Sequence, residues 1–420
     1  MKINADLSFL NNTNKPDIIK GHIYKIAELV YSELKEFSPT SIILTGSASH
    51  GDIGIVTYKN NYVPYGDYDF AVCCKSIPPG KTLEILQWKI NKTVFGGTDR
   101  TRGPLVDIKV YPENRKIRFN CDLAAYDTLS TYKIIWGKDI FKNATLPIND
   151  VPPVSMFRIL MNRFSHLTIS ISSKHGNTKP DDYTLIDIEK NIVKTFIELG
   201  GALAYIMNKY TADIKKRLDI VTNNEIDTDF NEKLDLLRTK IKIATHKKLF
   251  PARNTFNNWF SERLIAGTFT LKILLILLEK CLKTSVEQKD IETIMLSKLA
   301  TRYFSPYLIF EARRLIKLPL PPAVANLLSI GANIYERFKF YVKNRQLFKL
   351  FGGWQSPIVI YYWIIIKLFI HSQNRENIGL DKNEIEEIQV VTGAKKTLSN
   401  WEDVRCFAKK IWQGYAGRTW

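Results

Sequence analysis

The sequence predicts an α+β chain, with a mixed sheet and helices at the N-terminus and a mostly α-helical part after it. Three observations predict it. Short β-branched apolar runs recur between Ser41 and Tyr111. Apolar residues at helical spacing flank those runs. Beyond Asp150 the strand patterns stop and helical periodicity continues.

The elements follow in order. Asp17–Phe37 reads as a helix because Ile19, Ile23, Ile26, Val30 and Leu34 recur at helical spacing, with Asp17 as its cap. Ser41–Leu44 is a short strand ending at Gly46. Ala48–Gly66 is glycine-rich and polar, a loop with room for a small hairpin. Tyr68–Cys74 is a second strand and Lys81–Val94 a helix. Phe95–Gly103 is a Gly/Arg-rich loop, Leu105–Tyr111 a third strand, and Lys116–Phe119 a candidate partner for it. Leu123–Trp136 is predicted as a helix. Pro147, Pro152 and Pro153 then mark a break. Helices follow at Ile186–Lys209, Asp229–His246, Asn257–Lys283 and Asp290–Leu318. Pro319, Pro321 and Pro322 make a second break. The expected divisions are therefore 1–150, 151–318 and 319–420.

A chain of 420 residues exceeds one ordinary core, and 45% hydrophobic with 24% charged residues is a globular composition. The formal net charge of +18 favours polyanionic partners: nucleic acid, nucleotide phosphates or an acidic membrane surface. It is uneven, with nine Lys/Arg against two Asp/Glu between Thr301 and Leu350. The five cysteines include no CxxC pair and the six histidines no HExxH, which argues against a disulfide frame and the common zinc motifs. The first residues, MKINADLSFLNNTNK, lack the apolar core of a signal peptide, so a cytoplasmic location is expected. Leu264–Leu282 carries Lys272, Glu279 and Lys280. Ile358–Ile370 is short and carries Lys367. Both read as buried helices rather than spans, although the second also suits a membrane surface.

One constellation carries chemistry. A strand ends in Gly46-Ser47, and Asp67 and Asp69 follow twenty residues later at the head of another strand. Residues i and i+2 share a strand face, so the two carboxylates project together. In L-V-D-I-K-V-Y, Val106, Ile108 and Val110 fill one face and leave Asp107 and Lys109 on the other. If the strands are neighbours, three carboxylates converge on a hard-cation site suited to Mg²⁺. Gly46 lets the backbone approach a phosphate, and the Ser47 hydroxyl can hold its oxygens.

The strand-Gly46-Ser47, Asp67-Tyr68-Asp69 and strand-Asp107 order resembles the polymerase-beta-like nucleotidyltransferase superfamily. DLAAYDTLSTYKIIWGKDIF (Asp122–Phe141), MFRILMNRF (Met156–Phe164) and GGALAYIMNKYTADIKKR (Gly200–Arg217) resemble later parts of its stand-alone prokaryotic members. The resemblance covers roughly the first 220 residues and implies a palm-like catalytic domain over 1–150 with a helical domain closing the cleft over 151–318; the basic helical region over 319–420 is read from its own charge and periodicity. The resemblance also implies a transferase that moves an NMP from an NTP to an acceptor hydroxyl with release of pyrophosphate.

Under that resemblance, Asp67 and Asp69 hold two Mg²⁺ ions, with Mn²⁺ as a substitute. Asp107 binds the catalytic ion and helps deprotonate the acceptor. Gly46, Ser47, Lys109, Lys194 and Tyr210 are the candidate contacts to the nucleotide, with ATP the expected NTP. RNA is one acceptor class, favoured by the charge. A small molecule or nucleotide is a second, and a protein side chain a third. An inactive nucleotide-binding scaffold is the rival class.

The Ser47–Asp67 spacing is longer than the common family pattern, and Gly66 stands where a hydroxyl residue is frequent. Asp99 and Asp122 compete with Asp107 for the third carboxylate. His50, Arg100, Arg102, Arg158, Arg163 and Lys190 are further candidate contacts, each also readable as a loop or surface residue, the reading favoured for His50. Tyr210 also reads as a packing residue.

Overall fold

The structure is a computed structural model. It describes residues 5–58, 61–97, 105–113, 119–176, 178, 180–226, 233–251, 258–299, 303, 308, 321–343, 357–392, 394 and 398–419. The chain divides into two compact units: Met1–Val151 with Met207–Asn254, and Pro152–Ile206 with Thr255–Trp420. The units interleave in sequence, unlike the three consecutive divisions expected.

In the first unit, helix α1 (Pro16–Glu33) opens on Pro16, whose missing N–H is harmless in the first turn. Asp17 sits inside that turn and does not cap it. The predicted apolar stripe is the buried one, with Ile19, Ile23, Ile26 and Val30 fully enclosed. Strands β1 (Pro39–Thr45), β2 (Ile55–Tyr58), β3 (Asn61–Pro64) and β4 (Tyr68–Cys74) follow. Strands β2 and β3 form a separate antiparallel hairpin inside the expected loop. Then come α2 (Gly80–Phe95), β5 (Val106–Pro112), α3 (Leu123–Thr131) and β6 (Lys133–Gly137). The main sheet runs β5-β4-β1-β6. Strands β4 and β5 are parallel, whereas β1 pairs antiparallel with β4 and β6.

The expected helix Leu123–Trp136 is a correction. It stops at Thr131, Tyr132 turns to extended backbone, and Lys133–Gly137 pairs with β1 as an edge strand. Ile134, Ile135 and Trp136 suit a pleated surface better than a helix. Most of the expected Lys116–Phe119 strand lies outside the described residues.

The sheet has two unlike faces. Ile42, Leu44, Tyr68, Phe70, Val72, Val106 and Ile108 join α1 and α2 in the larger core. The opposite face carries a small cluster of Ile43, Ala71 and Phe141, flanked by Tyr111 and Tyr132. By strand alternation, Asp69, Asp107 and Lys109 belong to this second face.

The returning segment adds α6 (Ile214–Asn223) and α7 (Leu234–Leu249) to the same unit, so α4 and α5 are the helices between α3 and α6. Two polar anchors fix it. The Ile214 N–H donates to the Asp52 carboxylate at 3.1 Å, and that carboxylate is 1% exposed. It faces the N-terminus of α6, where unpaired N–H groups favour a negative charge. The Tyr210 hydroxyl donates to Asp127 of α3 at 3.0 Å and accepts from Arg217 Nη2 at 2.6 Å.

The second unit is helical: α4 (Pro153–Ile169), α5 (Asp182–Ile206), α8 (Trp259–Leu282), α9 (Ile291–Ile294, continuing as a π turn to Leu299), α10 (Pro322–Lys343), α11 (Pro357–Ile370), α12 (Lys382–Thr392) and α13 (Trp401–Thr419). Most of Asp290–Leu318 beyond Leu299 lies outside the described residues. Helix α11 is the centre of this unit, with Ile358 to Ile366 at most 1% exposed. Its membrane-surface reading therefore gives way to a buried core helix. Gly267 of α8 meets α11 closely: a Cβ there would lie 2.1 Å from the Phe369 ring. Lys367, the one charge on α11, pairs with Glu292 at 2.6 Å and Glu387 at 2.9 Å. Arg263 of α8 is fully buried and donates to the Leu167 and Ser372 carbonyls at 3.1 and 3.3 Å and to the Ser372 hydroxyl at 2.7 Å. Both carbonyls lie at helix C-termini, where the macrodipoles supply partial negative charge. Among the described residues, no helix is long and apolar enough to cross a membrane.

Candidate active site

The candidate site lies where β1 ends and β4 and β5 begin. Apolar β1 carries the chain out of the core to Thr45, the register partner of Asp69 on β4. Gly46 then turns the chain with φ +64°, a conformation that disfavours a side chain. Gly46–His50 form a short 3₁₀ turn. A Cβ on Gly46 would lie 2.1 Å from Asp69 Oδ2, so the carboxylate rests directly against the turn. Ser47 Oγ lies 3.8 Å from the Cβ position of Gly66, the residue before Asp67. The Gly-Ser turn and the aspartate pair, twenty residues apart in sequence, are thus neighbours in space.

Asp69 and Asp107 are register partners across the parallel β4–β5 ladder. Both are half-buried, as is Asp67, which stands immediately ahead of β4. Gln87 of α2 donates to Asp107 at 3.4 Å. The negative field is felt nearby: burial, and then the Asp107 charge, raise the Tyr111 phenol above its ordinary pKa. Tyr68, between the two aspartates, points into the core and shares a 3.2 Å hydrogen bond with His22. Burial holds His22 neutral, with its pKa lowered to about 4.

Among the described residues, no three His, Cys, Asp or Glu side chains gather into a set that could hold a metal ion. The expected three-carboxylate convergence is therefore drawn more narrowly, as one register pair with Asp67 at the strand head. Mg²⁺ commonly takes one or two protein carboxylates and completes its shell with water and substrate phosphates. The all-oxygen donors of Asp69 and Asp107 fit such an ion chemically.

The remaining candidates separate. Asp122 caps α3, accepting from the Ala125 N–H at 2.8 Å, which accounts for it without a metal. Asp99, Arg100 and Arg102 lie outside the described residues. Lys109 is exposed on β5 opposite Ala71. Lys194 and Lys190 lie half-buried on α5 in the second unit, where Arg163 approaches Glu198 at 3.7 Å. Tyr210 is 4% exposed, held by Asp127 and Arg217, with the guanidinium 4.4 Å over its ring. His50 Nδ1 lies 2.6 Å from buried Asp52. The parts played by Asp52, Asp127 and Arg217 carry no local sequence signal, since their bonded partners lie up to 162 residues away.

No family model and no curated protein matches the chain. Among solved structures, the chain is similar to spectinomycin adenyltransferase AAD(9) from Enterococcus faecialis, solved with ATP and spectinomycin. The identity is 16% and the TM-score 0.36, over 60% of this chain and 98% of that one.

Proposed function

We propose that the chain is a Mg²⁺-dependent nucleotidyltransferase, moving an NMP from an NTP, expected to be ATP, to an acceptor hydroxyl. The observation that carries this reading is the meeting of Gly46, Asp69 and Asp107 at one end of the sheet. Two half-buried carboxylates side by side repel each other, an arrangement that makes sense when a cation is part of the working state.

Asp69 and Asp107 would hold the ion directly and Asp67, at the head of β4, through its water shell; the ion when bound would neutralise charge on the phosphates. Gly46 brings the backbone close to the triphosphate, and the Ser47 hydroxyl donates to its oxygens. The acceptor oxygen attacks the α-phosphorus, the bond to the bridging oxygen breaks, and pyrophosphate leaves. Asp107 accepts the acceptor proton. Lys109, on β5 two residues after Asp107, remains a proposed phosphate contact. The +18 charge supports a polyanionic acceptor such as RNA.

The test uses purified protein, Mg²⁺ and each α-labelled NTP, with RNA, with a small-molecule extract and alone. Label should move to an acceptor in wild type and fail to move in Asp67→Ala and Asp69→Ala proteins that fold normally. Transfer surviving both substitutions would refute the reading. Label in a small product instead of RNA would keep the chemistry and replace the acceptor.

A further inference from the structure

His50 ends the 3₁₀ turn that Gly46 begins. Side chains at i and i+3 eclipse in such a turn, so Ser47 and His50 project on one side of it. Burial follows the same period: Ala48 and Ser49 are fully enclosed, whereas Ser47 and His50 are half-buried. The turn is held from behind. The Ser49 hydroxyl lies 2.7 Å from the Gly46 carbonyl and 3.0 Å from the Thr131 hydroxyl, and the Asp52 N–H donates to the Ser47 carbonyl at 2.9 Å.

The His50 ring is oriented as well. Its Nδ1 is enclosed 2.6 Å from Asp52 Oδ2, an ion-pair contact without hydrogen-bond alignment. Asp52 is in turn fixed by the Ile214 N–H. Yet 15% of the His50 side chain is exposed, so the open part of the ring is the edge away from Asp52. That edge carries Nε2, which has no partner among the described residues. The result is an imidazole held at one nitrogen and open at the other, on the Ser47 side of the turn. We propose that His50 is a further contact to the triphosphate, made through Nε2, and that Asp52 is the residue that positions it. The inference rests on the nucleotidyltransferase reading. Gly46 abuts Asp69, so the carboxylates, where the α-phosphate belongs, lie at the start of the turn. A 3₁₀ turn rises about 2 Å per residue, which carries His50 about 8 Å further along. Its contact therefore falls on the outer phosphates, which leave as pyrophosphate. With a carboxylate at Nδ1 and a phosphate at Nε2, the imidazolium is the form that fits, since it donates from both nitrogens.

The test is isothermal titration calorimetry of the full chain with Mg²⁺ and each NTP, then with Mg²⁺-pyrophosphate and with the matching NMP. His50→Gln should bind the NTP and pyrophosphate about tenfold more weakly and the NMP as wild type does. Asp52→Asn, which can still accept from the Ile214 N–H, should show a smaller loss with the same selectivity. Comparing ligands within one variant removes any effect of partial unfolding. Equal weakening of NTP and NMP binding in His50→Gln would make the residue structural and overturn the assignment. So would unchanged pyrophosphate affinity in His50→Gln while Asp69→Ala weakens NTP binding, a result that leaves the transferase reading standing. A wild type that binds no NTP overturns both.

Discussion

Gly46 and Asp69 touch: the carboxylate of one occupies the space a side chain on the other would need, 2.1 Å from the missing Cβ. Gly46→Ala therefore has two effects. The left-handed backbone at φ +64° costs about 1–2 kcal/mol with a Cβ present, and Asp69 must move. A fall of that size in urea-unfolding stability, with at least about a hundredfold loss of transfer, is expected. An alanine variant with full activity would show that the placement of Asp69 does not matter.

Asp107 and Asp69 are like charges on facing ladder positions. Asp107→Asn should raise stability in EDTA by about 0.2–1 kcal/mol, since facing like charges destabilise a sheet. The same variant should lose transfer and gain less thermal stabilisation from Mg²⁺ and NTP than wild type. Differential scanning fluorimetry with and without Mg²⁺ reads both effects.

Tyr210 reads both as a nucleotide contact and as a packing residue, and its hydroxyl bonds Asp127 and Arg217. Tyr210→Phe should lower stability by about 1–2 kcal/mol, because buried Arg217 and half-buried Asp127 each lose a bond. The KM for NTP should not change. Arg217→Met, which removes the guanidinium 3.5 Å from Asp127 and its bonds to the Thr211 and Ala212 carbonyls, should cost more, about 2–4 kcal/mol. Chemical denaturation beside steady-state kinetics separates the two roles.

His22 gives a pH dependence of known sign. Its folded pKa of about 4, lowered by burial and then by Lys25, lies below the ordinary 6.5. Between those values the unfolded chain binds more protons, so stability falls as pH drops through that window and the loss is complete below about 4. The loss attributable to this residue is about 3 kcal/mol. His22→Gln should flatten that part of a stability-against-pH curve measured by urea unfolding.

The strands were legible where periodicity and burial agree. Tyr68–Cys74 has the expected bounds because its inward residues alternate against a single core. The Lys133–Gly137 strand was hidden because a short edge strand with an exposed Ile134 borrows its pattern from the helix before it. In the candidate site, the Gly-Ser turn and the aspartates could be read because strand ends fix them locally. Asp52 and Asp127 could not, since their partners arrive on a segment that returns after α5. Ile358–Ile370 read correctly as buried, but no sequence rule revealed that Arg263 would sit across two helix ends in the same unit.

The interleaved units also set an order of events during synthesis. The first unit needs Ile214 to meet Asp52 and Tyr210 to meet Asp127, so its last pieces leave the ribosome only after all of α4 and α5. Those two helices must in turn wait for α8 and α11 before their apolar faces are covered. The first unit can close only once the chain up to Asn254 has emerged, and a fragment cut at residue 150 would lack part of its own fold. Such a chain is exposed to premature collapse of α4 and α5, and its yield in the cell should depend on chaperones that bind nascent apolar helices.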